Sequence, residues 1–469
     1  MITITPETWS FICEHHNEDV RTLALQSQKY KGVDMSVALV QIAGWQTAAR
    51  KVPSWSKVKE LFYPIHLSLE QCSSESTALF KAEIIKAMRT ASSDISPENI
   101  NKEQKENGGS NSQAIHPDVL TANTQKEQII VKSSQVIYSD VPVGNNERKE
   151  KQECIPFKKS GSFADLTGGM GVDCSFIAQL FSQATYVERQ QELCKMASHN
   201  FPLLGLDYIQ VIHADGSDYL KQMEPVDWLF IDPARRDGHG GKVIAIADCE
   251  PDVVKLEPLL LTKARHIMVK LSPMLDLSQA MRELKQVEAA YVVSVDNECK
   301  ELLLILGHQP VPPEQVPIHC INLKTESIAF SFTFTRQQES DSDCSYTSQP
   351  EAYLYEPNAS ILKAGAFKSI ATAYQLKKLH PNSHLYTSTE LIEDFPGRSF
   401  HIDGVSSLNK KELSTLLSGV KKANLSIRNF PTSTAALSKK LNLADGGNIY
   451  LFATTLADDR KAIIRCRKP

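Results

Sequence analysis

The chain of 469 residues is 42% hydrophobic and 23% charged, with a net charge of −4. This is the composition of an ordinary folded protein with room for about three domains of roughly 150 residues. The start, MITITPETWSFICEHHNEDV, has neither a basic leader nor an apolar run, and no stretch approaches the roughly 18–20 apolar residues that span a bilayer, so neither secretion nor a membrane is expected. Ten cysteines without CxxC spacing suit a reducing, cytoplasmic setting, and no metal is expected, because Cys13, Glu14, His15 and His16 have no second ligand group at matching spacing.

Apolar residues at helical spacing in DVRTLALQSQ, VALVQIAGWQTAAR and STALFKAEIIKAM predict a helical domain over 1–90, with a helix start near Ser74 and Thr77. Residues 91–155 turn to Asn, Ser, Gln, Lys and Glu and read as a polar linker or insertion, apart from a candidate strand pair at QIIVKS and QVIYSDV. Over 156–310 strands and helices alternate, which argues for βαβ units and a mainly parallel sheet. The expected strands are Phe163–Leu166, Ala184–Val187, Ile209–His213, Trp228–Ile231, His266–Lys270, Tyr291–Val295 and Leu302–Leu306. Only DNECK separates the last two, too little for a parallel crossover, so the seventh strand is expected to run antiparallel in a hairpin.

Residues 311–393 read as a connecting α/β region, opening with the strand IAFSFTFT, which puts Phe330, Phe332 and Phe334 on one face. Residues 394–469 read strand, helix, strand, helix, strand, strand. Between 395 and 469 thirteen Lys and Arg face five acids, a net +8 that leaves −12 on the rest of the chain. A basic domain collects phosphate, so nucleic acid is the expected partner, with a merely solvated face as the other reading.

FADLTGGMGVDCSFIAQLF, residues 163–181, predicts a strand, a tight turn and a helix. Asp165 closes the strand. Gly168, Gly169 and Gly171 let backbone approach a ligand, and the helix start offers N–H donors to a carboxylate or phosphate; a plain chain reversal is the alternative. A dinucleotide fingerprint counted from Gly169 is met only loosely, since Cys174 stands where a small third residue is wanted. Glu188 ends the second strand, placed to accept from both ribose hydroxyls of an adenosine. Asp215 follows the third, placed to accept from an adenine amino group; each is equally read as a carboxylate closing a strand or turn. Asp232 emerges from buried Trp228–Ile231 beside Pro233, Arg235 and Arg236, at the sheet edge where ligands of open α/β folds sit.

This constellation resembles the class I S-adenosylmethionine-dependent methyltransferases: the glycine turn matches their first motif, Glu188 the second, Asp215 the third, and DPAR at 232–235 the fourth. YEPNASILKAG at 355–365, SIRNFP, LSLEQCSSE at 67–75 and the basic end are similar to bacterial methyltransferases with a THUMP-like domain, so the likeness spans most of the chain. It implies an α/β fold: a Rossmann-like seven-stranded sheet with an antiparallel last strand, an N-terminal helical domain, and C-terminal ferredoxin-like (311–393) and THUMP-like (394–469) parts. The cofactor it implies is S-adenosylmethionine, held by Asp165, Thr167, Gly168, Gly169, Gly171, Glu188, Arg189, Asp215, Gly216 and Asp232. Asp232, Pro233 and Arg235 form the implied catalytic set.

The implied partner is RNA, tRNA or rRNA, gripped by Lys410, Lys411, Lys421, Lys422, Arg428, Lys439, Lys440, Arg465 and Arg467. For an exocyclic base amine, Asp232 would accept one N–H and the Pro233 carbonyl the other. The chain departs from the amine-methylating pattern in having Ala234 and Arg235 where an aromatic would stack the base; Arg235 offers its guanidinium plane instead. Methylation of a ring carbon needs a nucleophilic cysteine, and Cys249 and Cys299 qualify by position only, with Ser272 following the fifth strand, so a base nitrogen is the expected acceptor. LEQCSSE serves either helix packing and capping or the reach of Glu70, Gln71 or Ser74 into the cofactor pocket. Two other readings stay open: a non-catalytic RNA-binding or assembly protein with a retained cofactor site, and a methyltransferase for a small molecule or protein.

Overall fold

A computed structural model describes residues 4–64, 71–93, 159–235, 245–309, 311–324 and 327–469. The predicted linker at 91–155, beyond its first three residues, and its candidate strand pair lie outside the described residues, as do Glu70 and Arg236. The chain divides into two units: Met1–Gln286 with Leu304–Gln309 and Leu323–Ile328, and Val287–Leu303 with Pro310–Asn322 and Ala329–Pro469.

The first unit opens with helices α1 (Pro6–His15), α2 (Val20–Leu25), α3 (Met35–Lys51), α4 (Pro53–Ser56) and α5 (Glu75–Ser93). Side chains supply the acceptors that the first turns lack: Asp19 takes the Thr22 N–H, Asp34 those of Ser36 and Val37, and Ser74 that of Thr77. Phe11, Ile12, Leu23, Ala38 and Ile42 form one apolar cluster. Ala48, Val52, Trp55, Leu61, Tyr63 and Ala78 form another together with Met170, Val172, Leu193 and Met196, so the helical domain packs directly on the glycine turn.

Strands β1 (Ser162–Asp165), β2 (Gln183–Glu188), β3 (Ile209–His213), β4 (Val226–Ile231) and β5 (Ala264–Leu271) are parallel. Their runs FAD, WLFI and IMVKL are apolar almost throughout because helices cover such sheets on both faces. These helices are α6 (Val172–Ile177), α7 (Gln191–Leu203), α8 (Gly216–Gln222), α9 (Val253–Lys263) and α10 (Leu277–Glu283). Beyond them come β6 (Val287–Val295), β7 (Glu298–Leu306), β8 (Ile318–Lys324) and β9 (Ser327–Phe334), in the sheet order β9-β8-β6-β7-β5-β4-β1-β2-β3. The last three residues of β7 belong to the first unit.

All seven expected strands are present, and the sheet continues into the expected β9 through β8, an element the sequence reading lacks. The β6–β7 connection is shorter than DNECK suggested: only Asp296 and Asn297 turn, both at positive φ (49° and 66°), the backbone of a two-residue hairpin.

In the second unit follow α11 (Arg336–Asp341), β10 (Tyr353–Pro357), α12 (Ala359–Ala364), α13 (Ser369–Ala373), the two-residue strand Lys377–Lys378 and β11 (Tyr386–Ser388). The basic end gives β12 (Gly397–Ser406), α14 (Lys410–Leu416), β13 (Asn424–Arg428), α15 (Thr434–Leu441), β14 (Tyr450–Thr455) and β15 (Lys461–Arg467), in the predicted succession. The sheet order is Lys377–Lys378, β11, β10, β12, β15, β14, β13. Alternation along β14 and β15 sorts the core. Leu451, Ala453 and Ile463 meet the leucines of α14 and α15, while Phe452, Ile464 and Cys466 meet Leu354, Leu379, Leu385 and Phe400 on the other face.

Candidate active site

At the C-terminal ends of β1 to β5 lies a cleft of about 400 Å³, a volume usual for a small-molecule site. Every predicted cofactor residue lines it: Asp165, Thr167, Gly168, Gly169, Gly171, Glu188, Arg189, Asp215, Gly216 and Asp232. Gln71, Cys72 and Ser73 join them from the segment before α5, whereas Ser74 caps that helix. Pro233 is buried behind the lining, and Arg235 pairs by its backbone with Cys249 in a short ribbon, its side chain lying outside the described residues.

The glycine turn is shaped by protein neighbours. A Cβ on Gly168 would sit 2.2 Å from the Tyr186 ring, and the Tyr186 hydroxyl donates to the Gly169 carbonyl at 2.5 Å. Four N–H groups of the turn already have acceptors. Thr167 donates to Asp165, Gly168 to the Val187 carbonyl, Gly169 to Glu188 Oε2 at 2.9 Å, and Gly171 to the Gly168 carbonyl. The turn itself therefore presents few donors, and those expected of the helix start belong to α6, whose first internal bond runs from Ser175 to the Gly171 carbonyl.

The lining is acidic instead: Asp165, Asp173, Glu188, Asp215, Asp232 and Glu250 outnumber Arg189 and Lys270. Asp165 is 1% exposed, and burial, with Asp173, Asp232 and Glu188 adding, pushes its carboxyl well above the usual range. Glu188 accepts from Gly169 on one oxygen and from Gln190 at 2.7 Å on the other; a carboxylate has about four lone-pair sites, so both oxygens keep acceptor capacity. Asp215 is exposed, and its Oδ1 caps α8 through Ser217 and Asp218. Thr167 Oγ1 accepts from the Asp232 N–H at 2.7 Å, tying the first motif to the fourth.

Sequence reasoning missed the ionic chain behind Asp232. Lys270, on β5, puts Nζ 2.5 Å from Asp232 Oδ2 and 3.5 Å from Asp173 Oδ2. Lys81, on α5 and fully buried, reaches Asp173 Oδ1 at 3.0 Å and donates to Ser73 Oγ, which itself donates to Asp173 Oδ2 at 2.7 Å. Burial alone would raise the Asp173 carboxyl; the two ammonium groups and Ser73 hold it down to about 2. A legible signal existed: a lysine inside an apolar stripe (ALFKAEII) and another inside an apolar strand (IMVKL) must find acid partners.

The cysteines weighed for carbon chemistry stand elsewhere. Cys249 is buried in the ribbon outside the lining, and burial pushes Cys299 up to about 11. His15 pairs with Glu18, and His16 bonds the Cys13 carbonyl.

In the second unit Lys410, Lys411, Lys421, Lys422, Lys439 and Lys440 are exposed. Arg428 instead joins Arg398 on the buried carboxylate of Glu356, and Arg465 donates to the Leu416 carbonyl. Arg467 is exposed and pairs with Asp403 at 2.6 Å.

The crystal structure of a "putative methyltransferase" from Porphyromonas gingivalis W83 is similar over 100% of both chains, at 31% identity and a TM-score of 0.75. Residues 353–396 match a ferredoxin-like domain family and 397–468 a THUMP domain-like family. The chain belongs to the THUMP-like methyltransferase family.

Two more distant likenesses accompany that membership. A "putative sam-dependent methyltransferase" from Streptococcus mutans is 18% identical over 27% of this chain and 34% of its own, with a TM-score of 0.23. An rRNA methylase from Streptococcus thermophilus is 13% identical over 32% and 89%, with a TM-score of 0.26. Neither is close enough to bear on what this family member does. No curated protein matches the chain.

Proposed function

We propose that this family member is an S-adenosylmethionine-dependent methyltransferase acting on tRNA or rRNA, its cleft holding the donor and its basic end gripping the phosphate backbone. The charge of the cleft carries the reading. Six carboxylates face two cations, so a phosphate-bearing cofactor would meet a lining of its own sign. A donor with a sulfonium, an ammonium and ribose hydroxyls is the complement of that lining. Bound there, S-adenosylmethionine supplies an electrophilic methyl group.

Glu188 would accept from the ribose hydroxyls and Asp215 from the adenine amino group. Asp165 would accept from a cation, which favours its ionised form. The nitrogen expected from the sequence would give its N–H groups to Asp232 and the Pro233 carbonyl; Asp232, however, comes joined to Lys270, and the acceptor must suit the pair. Support for RNA comes from the +8 segment, its seven exposed lysines and the THUMP domain-like match.

Calorimetric titration with adenosylhomocysteine, followed by methyl-labelled donor and bulk RNA over a salt series, tests this. Wild type is expected to bind, Glu188→Ala to bind at least about tenfold more weakly through the loss of charge-assisted hydrogen bonds, and label to enter RNA with a steep decline in salt. Absence of cofactor binding would point to a non-catalytic RNA-binding protein, and transfer without RNA to a small-molecule or protein substrate.

A further inference from the structure

We propose that the methyl acceptor is a hydroxyl, the ribose 2′-hydroxyl of an RNA nucleotide, and that Asp232 and Lys270 together are its catalytic residues. The inference rests on the RNA methyltransferase reading above and names the atom. RNA offers three kinds of acceptor: base carbon, base nitrogen and ribose oxygen. Carbon requires a thiolate, and burial pushes the thiol on the cleft lining, Cys72, up and away from that form.

A base nitrogen, in the ring or exocyclic, has one lone pair at most and must aim it at the methyl group, so it has none left to accept from an ammonium. The group it would meet is a salt bridge: Asp232 Oδ2 already holds Lys270 Nζ at 2.5 Å, so an ammonium, a pure donor, stands beside that carboxylate. A hydroxyl fits that pair on both counts. Its lone pairs accept from Lys270 while its proton points to Asp232.

The neighbours fix the pair in this state. Asp173 draws Lys270 from behind at 3.5 Å, and Lys81 and Ser73 hold Asp173 in turn, at 3.0 and 2.7 Å. Lys270 is only 12% exposed by its side chain, against 36% for Asp232, so the ammonium is held in the wall and the carboxylate faces outward. In the step itself the hydroxyl oxygen forms its bond to the methyl carbon as the carbon–sulfur bond breaks. The electron pair of the broken bond stays on sulfur. The hydroxyl proton passes to Asp232, from which solvent takes it, and Lys270 keeps its proton, stabilising the charge that builds on oxygen.

The product decides between the acceptors. RNA carrying the labelled methyl group is hydrolysed in alkali, which cuts next to each 2′-hydroxyl and leaves a bond beside a 2′-O-methyl intact. Label in alkali-resistant dinucleotides is the expected result; label in mononucleotides means a methylated base and overturns the proposal. If no label enters RNA at all, the RNA reading fails and takes this inference with it. In parallel, Lys270→Met is expected to lower transfer by about 10²–10³-fold while adenosylhomocysteine still binds by calorimetry. Transfer by this variant at the wild-type rate would also overturn the role of Lys270. Should it not fold, as judged by circular dichroism, Lys270→Arg keeps the charge, and its product is expected to be alkali-resistant as well.

Discussion

Lys81 shows what a single residue contributes. It lies fully buried in α5, with its charge met by Asp173, Ser73 and the Thr77 carbonyl. Lys81→Met keeps the length of the side chain and removes the charge, leaving Asp173 dependent on Lys270. It should cost about 3–5 kcal/mol of stability, read from urea denaturation, because a buried ion pair is expensive to break from one side. The Asp173 carboxyl adds a pH signature. Its folded value is held near 2 against the ordinary 3.8, so the stability it contributes is complete above 3.8 and drains away as the pH falls toward 2.

At the scale of elements, the β6–β7 hairpin sets two demands against each other. Asn297 sits at φ 66°, where glycine would be easier on the backbone, yet its Oδ1 accepts from Asn358 Nδ2 at 2.7 Å and from the Ala359 N–H at 2.9 Å. Two hydrogen bonds of about 1 kcal/mol each outweigh the few tenths gained by relief at a position asparagine already tolerates, so Asn297→Gly is expected to destabilise by about 1.5–2 kcal/mol in a thermal melt. An unchanged or raised melting temperature would contradict this.

The strands that lead to Asp165, Glu188 and Asp232 were legible because each is a largely apolar run closed by an acid, as buried parallel strands read. Asp165, Glu188 and Asp232 were found by that rule. The ionic chain was not, because Lys81, Asp173 and Lys270 meet across long stretches of sequence and no local pattern pairs them. β8 also escaped, since IHCINLK interleaves polar residues, among them His319 and Asn322, that are buried in the folded chain.

Over the whole molecule, three histidines respond to acid together. Burial pushes His266, His319 and His384 down to about 4, so folding requires each to be neutral. The unfolded chain binds these protons near 6.5. The stability they represent is therefore complete above 6.5 and is lost as the pH falls toward 4, and the urea midpoint should drop between pH 7 and 5. A flat midpoint over that interval would be inconsistent with neutral buried imidazoles.

The Glu356 carboxylate has a wider consequence. By taking up Arg398 and Arg428, it withdraws two planar forks from the basic end and leaves compact, pivoting ammonium groups as most of its outward charge. Such ammonium groups meet an anion as point charges, without the bidentate geometry by which a guanidinium selects a carboxylate or phosphate. Under the RNA reading proposed above, discrimination among nucleotides would fall to the acidic cleft, and the tail would supply residence time.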